Sequence, residues 1–177
     1  MKYLVASDLH GSFYYAKEFQ RIVKQEKPDL TILLGDLYYH GPRNPLPRDY
    51  RPREVCDLLN GMKNELLVVK GNCDAEVDEM ISEFPFAPFL YFSHRGKQIF
   101  ASHGQKYNPT HLPEATFDIL LYGHTHIGEV FRQNGKLFAN PGSLSLPKNG
   151  TPHSYLILDE ALVLKDLAGN LLAEEPI

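Results

Sequence analysis

Five short apolar runs, spread over the first two thirds of the chain, constrain the fold more than any other feature of the sequence. Each has four or five residues, most of them β-branched, leucine or aromatic, which is typical of buried strands. We predict strands at 3–6 (YLVA), 30–34 (LTILL), 66–69 (LLVV), 98–101 (QIFA) and 118–122 (DILLY).

Amphipathic segments separate the first three runs. Between residues 13 and 24, apolar side chains recur at helical spacing after Ser12, a candidate N-cap. A second helical repeat runs over 55–62 after Pro52, and a third helix is predicted within 74–83. This alternation of strands and helices predicts right-handed βαβ units and a parallel sheet.

The second half of the chain has the pattern of antiparallel hairpins. A chain that is α/β first and mostly β later suits two packed sheets with helices on their outer faces. The predicted hairpins lie around Gly96, at 128–132 with 136–139 across Asn134-Gly135, and at 154–158 with 161–166.

Length, charge and cysteine content exclude several classes of protein. A chain of 177 residues predicts one compact domain spanning 1–177. With 18 Lys and Arg against 22 Asp and Glu, the net charge of -4 provides no global positive field for long nucleic acid. The only cysteines, Cys56 and Cys73, lack metal-type spacing, which predicts free thiols and a cytoplasmic location. No apolar stretch approaches the roughly 18 residues of a membrane span.

Every predicted buried strand is followed by a side chain that can bind a metal ion. In parallel α/β sheets the site forms beyond the carboxyl ends of the strands, so these exits are expected to converge. Asp8 and His10 lie two positions apart, as do His124 and His126. Extended backbone would place both side chains of each pair on one face. The candidate ligands are Asp8, His10, Asp36, Asn72, His103, His124 and His126.

These seven side chains comprise two carboxylates, one amide and four imidazoles. Such a mixed oxygen and nitrogen set suits Mn, Fe, Zn, Co or Ni better than a zinc ribbon or an all-oxygen Mg or Ca site. Seven ligands exceed the needs of one ion and suit two ions bridged by a carboxylate. Alternatively, each residue taken singly is a capping or hydrogen-bonding side chain at a strand end.

The ordered motifs of the chain resemble those of the calcineurin-like metallophosphoesterase superfamily. The short length and three further segments, 71–74, 40–44 and 140–143, are similar to bacterial YfcE-like phosphodiesterases. The resemblance implies an α/β fold, a four-layer αββα sandwich of two mixed sheets, with a dinuclear metal site. The motifs are Asp8-x-His10, Gly35-Asp36, Gly71-Asn72, His103-Gly104 and Gly123-His124-x-His126.

The resemblance also implies a role for each ligand. It assigns Asp8, His10 and His126 to one ion, Asn72, His103 and His124 to the other, and Asp36 to both as the bridge. It implies catalytic roles for Asp36, Asn72 and His103, with Asn72 also touching the substrate. The two divalent ions, Mn first with Ni, Co, Fe or Zn as alternatives, would activate a bridging hydroxide for in-line attack on phosphorus.

Two residues beside the motifs are candidate substrate contacts. The superfamily usually has His after the Gly-Asn of the third motif, where it can protonate the leaving oxygen; here that residue is Cys73, a poor substitute for imidazole. Cys73 is therefore either a contact to the substrate or a small packing residue. Arg43, in a proline-rich loop with Arg48, Arg51 and Arg53, is the candidate for binding a phosphate in a bidentate manner; the alternative is a solvated loop.

The predicted function is hydrolysis of small phosphodiesters by a metal-dependent phosphoric diester hydrolase. An alternative is a scaffold or binding protein with the same fold and little turnover, as in the retromer subunit that this fold resembles. A phosphomonoesterase or a nuclease acting on short oligonucleotides is a third alternative. The aromatic stretch at 84–92 belongs either to the core or to a patch for self-association, so a homo-oligomer stays open.

Overall fold

The computed structural model describes residues 1–177 and contains twelve strands and three α-helices. The helices are α1 (Phe13–Glu26), α2 (Pro52–Asn60) and α3 (Glu76–Ile81). The strands are β1 (Tyr3–Ala6), β2 (Leu30–Leu33), β3 (Leu66–Val69), β4 (Phe86–Ala87), β5 (Leu90–His94), β6 (Lys97–Ala101), β7 (Ile119–Leu121), β8 (Gly128–Gln133), β9 (Lys136–Pro141), β10 (Ser154–Leu158), β11 (Ala161–Asp166) and β12 (Leu171–Pro176).

The strands form two mixed sheets, which confirms the predicted α/β class. The seven-stranded sheet has the order β12-β11-β10-β1-β2-β3-β4, and its β1, β2 and β3 run parallel as the βαβ prediction requires. The five-stranded sheet has the order β5-β6-β7-β9-β8, with β6, β7 and β9 parallel. In each sheet a parallel centre therefore directs several strand exits to the same edge.

Two large apolar clusters hold the layers together. One lies between the sheets and joins Val5 and Ile32 of the first sheet to Ile99 and Leu121 of the second. The other packs α1 and α2 on the outer face of the seven-stranded sheet, with Phe19 fully buried against it. Because both faces of β1, β2 and β3 are covered, these strands are apolar runs without alternation, which is the pattern that predicted them.

The outer face of the five-stranded sheet has a thinner cover than the predicted helical layer. Phe100, Phe117, Leu120, Tyr122 and Phe138 form a separate aromatic cluster there. The segment 102–118, which follows β6, contains no helix. Its two prolines, at 109 and 113, would each remove a helical hydrogen bond, which accounts for the irregular backbone.

The local predictions hold with small shifts at their ends. Ser12 caps α1, and its side chain accepts a hydrogen bond from the backbone N–H of Tyr15 at 3.3 Å. The third helix is shorter than predicted, because Asp74 lies outside it and its carboxylate bonds to other loops.

The aromatic stretch at 84–92 divides between the two alternatives, since Phe84 is buried whereas Phe89 is 43% exposed. No helix is long and apolar enough to cross a membrane.

Candidate metal centre

The two sheets meet at the edge where the predicted strand exits converge. On the seven-stranded sheet, the backbone N–H of Asp8 donates to the Gly35 carbonyl at 3.1 Å and that of His10 to the Asp36 carbonyl at 2.9 Å. Between the sheets, the His124 N–H donates to Oδ2 of Asp8 at 3.1 Å. The structure thus brings all seven predicted ligands to one place, from both sheets.

The backbone at this edge is left-handed rather than extended. Asp8, His10, Asp36, His124 and His126 have φ angles of 57°, 49°, 57°, 67° and 62°. Non-glycine residues adopt this conformation rarely and mostly where the surrounding structure imposes it. The pairs at i and i+2 therefore converge through tight turns, and the extended geometry predicted for them is wrong.

One group of ligand atoms is formed by Asp8, His10 and His126. Oδ1 of Asp8 lies 3.6 Å from Nε2 of His10 and 3.3 Å from Nε2 of His126, and the two imidazole nitrogens are 3.2 Å apart. All three side chains are buried. These are the three residues that the resemblance assigns to one ion.

The second group lies on the other side of Asp36. Oδ2 of Asp36 is 3.7 Å from Nε2 of His10 and 3.4 Å from Nε2 of His103, so this carboxylate stands between the two groups. Nε2 of His103 is 3.1 Å from Oδ1 of Asn72. The ring of His124 lies beside that of His103, with 5.2 Å between centroids. Asp36 has the position that a bridging ligand requires.

Hydrogen bonds to the far side of the rings decide which nitrogen faces the centre. Nδ1 of His10, His103 and His126 lies 2.7, 2.6 and 2.6 Å from the backbone carbonyls of Tyr39, Leu34 and Leu146 respectively. A carbonyl only accepts, so each Nδ1 carries a proton and each Nε2 faces the cluster, where it can offer a lone pair to a cation.

This arrangement fits divalent cations. Nε2 of His10 and Nε2 of His126 lie 3.2 Å apart, close enough for both atoms to bind one cation. Oδ1 of Asp8 is buried and has no hydrogen-bond partner. A cation between these three atoms satisfies all of them, whereas capping roles at strand ends leave the carboxylate oxygen unpaired.

The pKa values of the clustered side chains also indicate that the site attracts positive charge. Burial lowers the pKa of His103, but the neighbouring carboxylates of Asp36 and Asp8 outweigh it and raise that pKa to about 9. Burial opposes ionisation of Asp8, yet its contacts with His10 and His126 hold the pKa of this carboxyl well below its usual range. The carboxylates are thus charged and attract a cation.

Asp74 positions two of the ligand loops, a role that the sequence analysis missed. Its carboxylate accepts hydrogen bonds from the backbone N–H groups of Asp36 at 2.8 Å, Leu37 at 2.8 Å and Gly71 at 2.7 Å. The loops that follow β2 and β3 are therefore held together next to Asp36. In the sequence, Asp74 stood out only as the last residue of the segment 71–74 and the first of the predicted third helix.

A cleft of about 660 Å³ opens above the candidate ligands. Of the four arginines of the proline-rich loop, only Arg43 lines it. Arg48 lies over the ring of Tyr14, and Arg51 and Arg53 pair with nearby carboxylates, so these three have structural partners. Lys148, which the sequence analysis did not single out, also lines the cleft.

Cys73 lines the cleft as a half-buried thiol. Its backbone N–H donates to Oδ1 of Asp36 at 2.8 Å. Burial, with the nearby Asp36 carboxylate, raises the pKa of Cys73 to about 12. The thiol is therefore neutral at physiological pH and a poor source of protons.

Comparison with known proteins places this geometry in a family. The model of the calcineurin-like phosphoesterase superfamily domain matches residues 1–161. Phosphodiesterase YfcE of Escherichia coli K12 is 41% identical over 162 residues, covering 90% of this chain and 88% of that protein. A solved structure of YfcE, described as a phosphoesterase from E. coli, superposes with a TM-score of 0.96 at 36% identity and covers 100% of both chains.

More distant structures share only the architecture. Vps29 of Chaetomium thermophilum superposes with a TM-score of 0.67 at 21% identity, covering 100% of this chain and 97% of that one. At this level of identity the likeness shows the fold alone.

Proposed function

The chain belongs to the calcineurin-like phosphoesterase superfamily and is a metal-dependent phosphoesterase, and on this premise we propose that it hydrolyses small phosphodiesters at a dinuclear centre. The observation that carries the proposal is the buried Oδ1 of Asp8, which has no hydrogen-bond partner and lies 3.6 Å from Nε2 of His10 and 3.3 Å from Nε2 of His126. The likeness to YfcE, a named phosphodiesterase, supports the choice of substrate class.

In the proposed centre the ligand side chains divide into two sets that share Asp36. Asp8, His10 and His126 hold one ion, and Asn72, His103 and His124 hold the other. When bound, a pair of divalent ions supplies an activated water for in-line attack and neutralises charge on the phosphoryl oxygens. The nitrogen and oxygen donors suit Mn first, with Ni, Co, Fe or Zn as alternatives.

The remaining residues of the cleft bind the substrate. Arg43 offers a planar, permanently charged fork for two oxygens of a phosphate group in the substrate, and no side chain of the protein pairs with it. The amide of Asn72 is exposed to the cleft and can reach both an ion and the substrate. The neutral thiol of Cys73 packs beside Asp36 and supplies no proton, so the leaving oxygen departs unprotonated or with help from water.

The proposal extends to the setting of the enzyme. Free Cys56 and Cys73 support a reducing, cytoplasmic location. A small phosphodiester is the proposed partner; long nucleic acid is disfavoured by the net charge of -4.

The test is a substrate screen of the reconstituted protein. Metal-free protein is loaded in turn with Mn, Ni, Co, Zn or Mg, and turnover is measured on a panel of phosphodiesters and phosphomonoesters while bound metal is counted. We expect two ions per chain and a preference for diesters. Preference for monoesters would assign a phosphomonoesterase, and two bound ions without turnover on any ester would favour the scaffold.

The same screen tests Asp36 as the bridge. Asp36→Asn should abolish turnover and bring bound metal below two ions per chain. Asp57→Asn, which alters an exposed carboxylate paired with Arg53, is the matched control and should behave like the native protein. Normal turnover with two ions in Asp36→Asn would refute the assignment.

A further inference from the structure

The cleft contains more positive charge than a phosphodiester requires. In the proposed centre two divalent ions bring four positive charges, of which the carboxylates of Asp8 and Asp36 offset two. A diester under attack by hydroxide carries about two negative charges, so the centre alone balances the reacting group. Arg43 and Lys148 add two further positive charges to the same cleft.

No side chain of the protein offsets these two cations. Neither Arg43 nor Lys148 makes a side-chain hydrogen bond or ion pair, whereas Lys70 nearby pairs with Glu79. The only acidic residues that line the cleft are Asp36 and Asp74, and both are buried. Asp74 accepts three backbone hydrogen bonds, and Asp36 faces the imidazoles. Both cations are therefore free to bind a ligand.

The backbone that carries Lys148 is fixed to the metal centre. The Lys148 N–H donates to the carbonyl of His126 at 3.0 Å, and the hydroxyl of Thr151 donates to the carbonyl of Lys148 at 2.8 Å. Two residues earlier, the carbonyl of Leu146 orients the ring of His126. Lys148 thus carries an exposed ammonium on a backbone that is hydrogen-bonded to the ligand residue His126.

The backbone that carries Arg43 is fixed in a separate turn. Nδ2 of Asn44 donates to the carbonyl of His40 at 2.8 Å and closes the turn. The turn packs on Cys73, since a Cβ built on Gly41 would lie 3.0 Å from Sγ of Cys73. Arg43 and Lys148 therefore reach into the cleft from two different segments.

We propose that Lys148 and Arg43 select a phosphodiester that carries a second phosphate group besides the one that is cleaved. This inference rests on the proposed function and names its substrate class. The two unpaired positive charges match the two negative charges of a terminal phosphate better than the single charge of a carboxylate. A cleft of about 660 Å³ also has room for more than the reacting group.

The test compares two esters that differ only by the second phosphate. These are thymidine 5′-(p-nitrophenyl phosphate) and the same compound with a 3′-phosphate, so that base, sugar and leaving group are identical. We expect the native, metal-loaded protein to show a kcat/KM at least tenfold higher for the 3′-phosphorylated ester. Added salt should reduce this ratio, because both cations are exposed.

Variants at position 148 identify the residue responsible. Lys148→Met should reduce the ratio by about tenfold, and Lys148→Arg should restore most of it. Lys106→Met removes an exposed lysine that lies outside this cleft and should leave the ratio as in the native protein. A ratio near one in the native protein, or equal losses on both esters in Lys148→Met, would overturn the inference.

A binding measurement separates this inference from the proposed function. Calorimetry with thymidine 3′,5′-bisphosphate and thymidine 5′-phosphate should show tighter binding of the bisphosphate to native protein, and the difference should shrink in Lys148→Met. This comparison tests whether the protein binds the second phosphate, even if neither ester is hydrolysed. If both esters are hydrolysed but both nucleotides bind equally well, the proposed phosphodiesterase activity is kept and selection for a second phosphate is rejected.

Discussion

At the scale of single residues, His124 and His126 leave one strand exit in different directions. The ring of His126 faces Asp8 and His10, whereas that of His124 lies beside His103. We therefore predict that His124→Ala and His126→Ala weaken different ions. Metal titration of each variant should show one retained site and one weakened by at least tenfold, with a different site affected in each. Identical loss patterns in the two variants would indicate a mononuclear centre.

The thiol of Cys73 leads to a prediction about leaving groups. The turn around Gly41 packs on Sγ, and the raised pKa keeps the thiol neutral. Without an acid beside the departing oxygen, the rate should depend steeply on the acidity of the leaving group. Aryl diesters should be far better substrates than alkyl diesters.

A series of phenyl diesters with graded leaving-group pKa checks this prediction. Cys73→Ser keeps the size of the side chain and should change aryl-diester turnover by less than about tenfold, or about 1.4 kcal/mol of barrier. A flat dependence on the leaving group, or a collapse of turnover in Cys73→Ser, would show that an acid operates in the native cleft.

The sequence predicted residues that a local pattern marks, and it missed residues whose role depends on contacts with distant segments. Asp8 and His103 each follow an apolar run directly, so a local pattern exposes them. Lys148 and Asp74 act through contacts with distant loops: Lys148 lines a cleft with Arg43, and Asp74 bonds to Asp36, 38 positions away. Only the folded chain shows such neighbours.

At the scale of elements, Glu26 joins the end of α1 to β10 and β11 of the seven-stranded sheet. Its carboxylate accepts hydrogen bonds from Lys2 at 2.9 Å, Lys165 at 2.8 Å and Tyr155 at 2.9 Å. Burial raises the pKa of Glu26, but these donors outweigh it and lower that pKa to about 2, against 4.5 for the ordinary group. The ionised carboxylate therefore stabilises the folded state at neutral pH.

The sign of this shift predicts a pH dependence. The stabilisation is fully present above pH 4.5 and is lost as the pH falls from 4.5 towards 2. Glu26→Gln should lower the free energy of unfolding at pH 7 by about 1 to 2 kcal/mol, after allowance for solvent screening. Urea titrations should show the gap to the native protein closing at low pH. The control Glu18→Gln, in an exposed pair with Arg21, should change stability by less than about 0.5 kcal/mol.

Elements with two covered faces were predictable from sequence, and elements at the sheet edges were not. β1, β2 and β3 are apolar at every position except Thr31, because both of their faces are covered. The missed strand β12 lies at an edge, is largely exposed, and has the sequence LLAEEP with no apolar run. β4 has only two residues and pairs with one neighbour, too short for a periodicity to be visible.

At the scale of the whole molecule, the candidate centre joins the two sheets. Asp8 and His10 follow β1 of the seven-stranded sheet, while His103 and His126 follow β6 and β7 of the five-stranded sheet. His10 and His126 are 116 positions apart in the sequence, so the unfolded chain does not hold them together. Metal ions should accordingly bind the folded state far more tightly than the unfolded state, and binding is expected to stabilise the fold.

This coupling predicts a shift in thermal stability on metal removal. At a free Mn concentration of about 100 times its dissociation constant, binding stabilises the folded state by about 2.7 kcal/mol. For a domain of this size that corresponds to a rise in Tm of about 5 to 10 °C over chelator-treated protein, measurable by scanning calorimetry. Asp36→Asn should show a smaller rise, because it weakens the shared ligand, while Asp57→Asn should match the native protein. An unchanged Tm in the native protein, at a metal concentration that supports turnover, would mean that the ions do not bind the folded state in preference to the unfolded state.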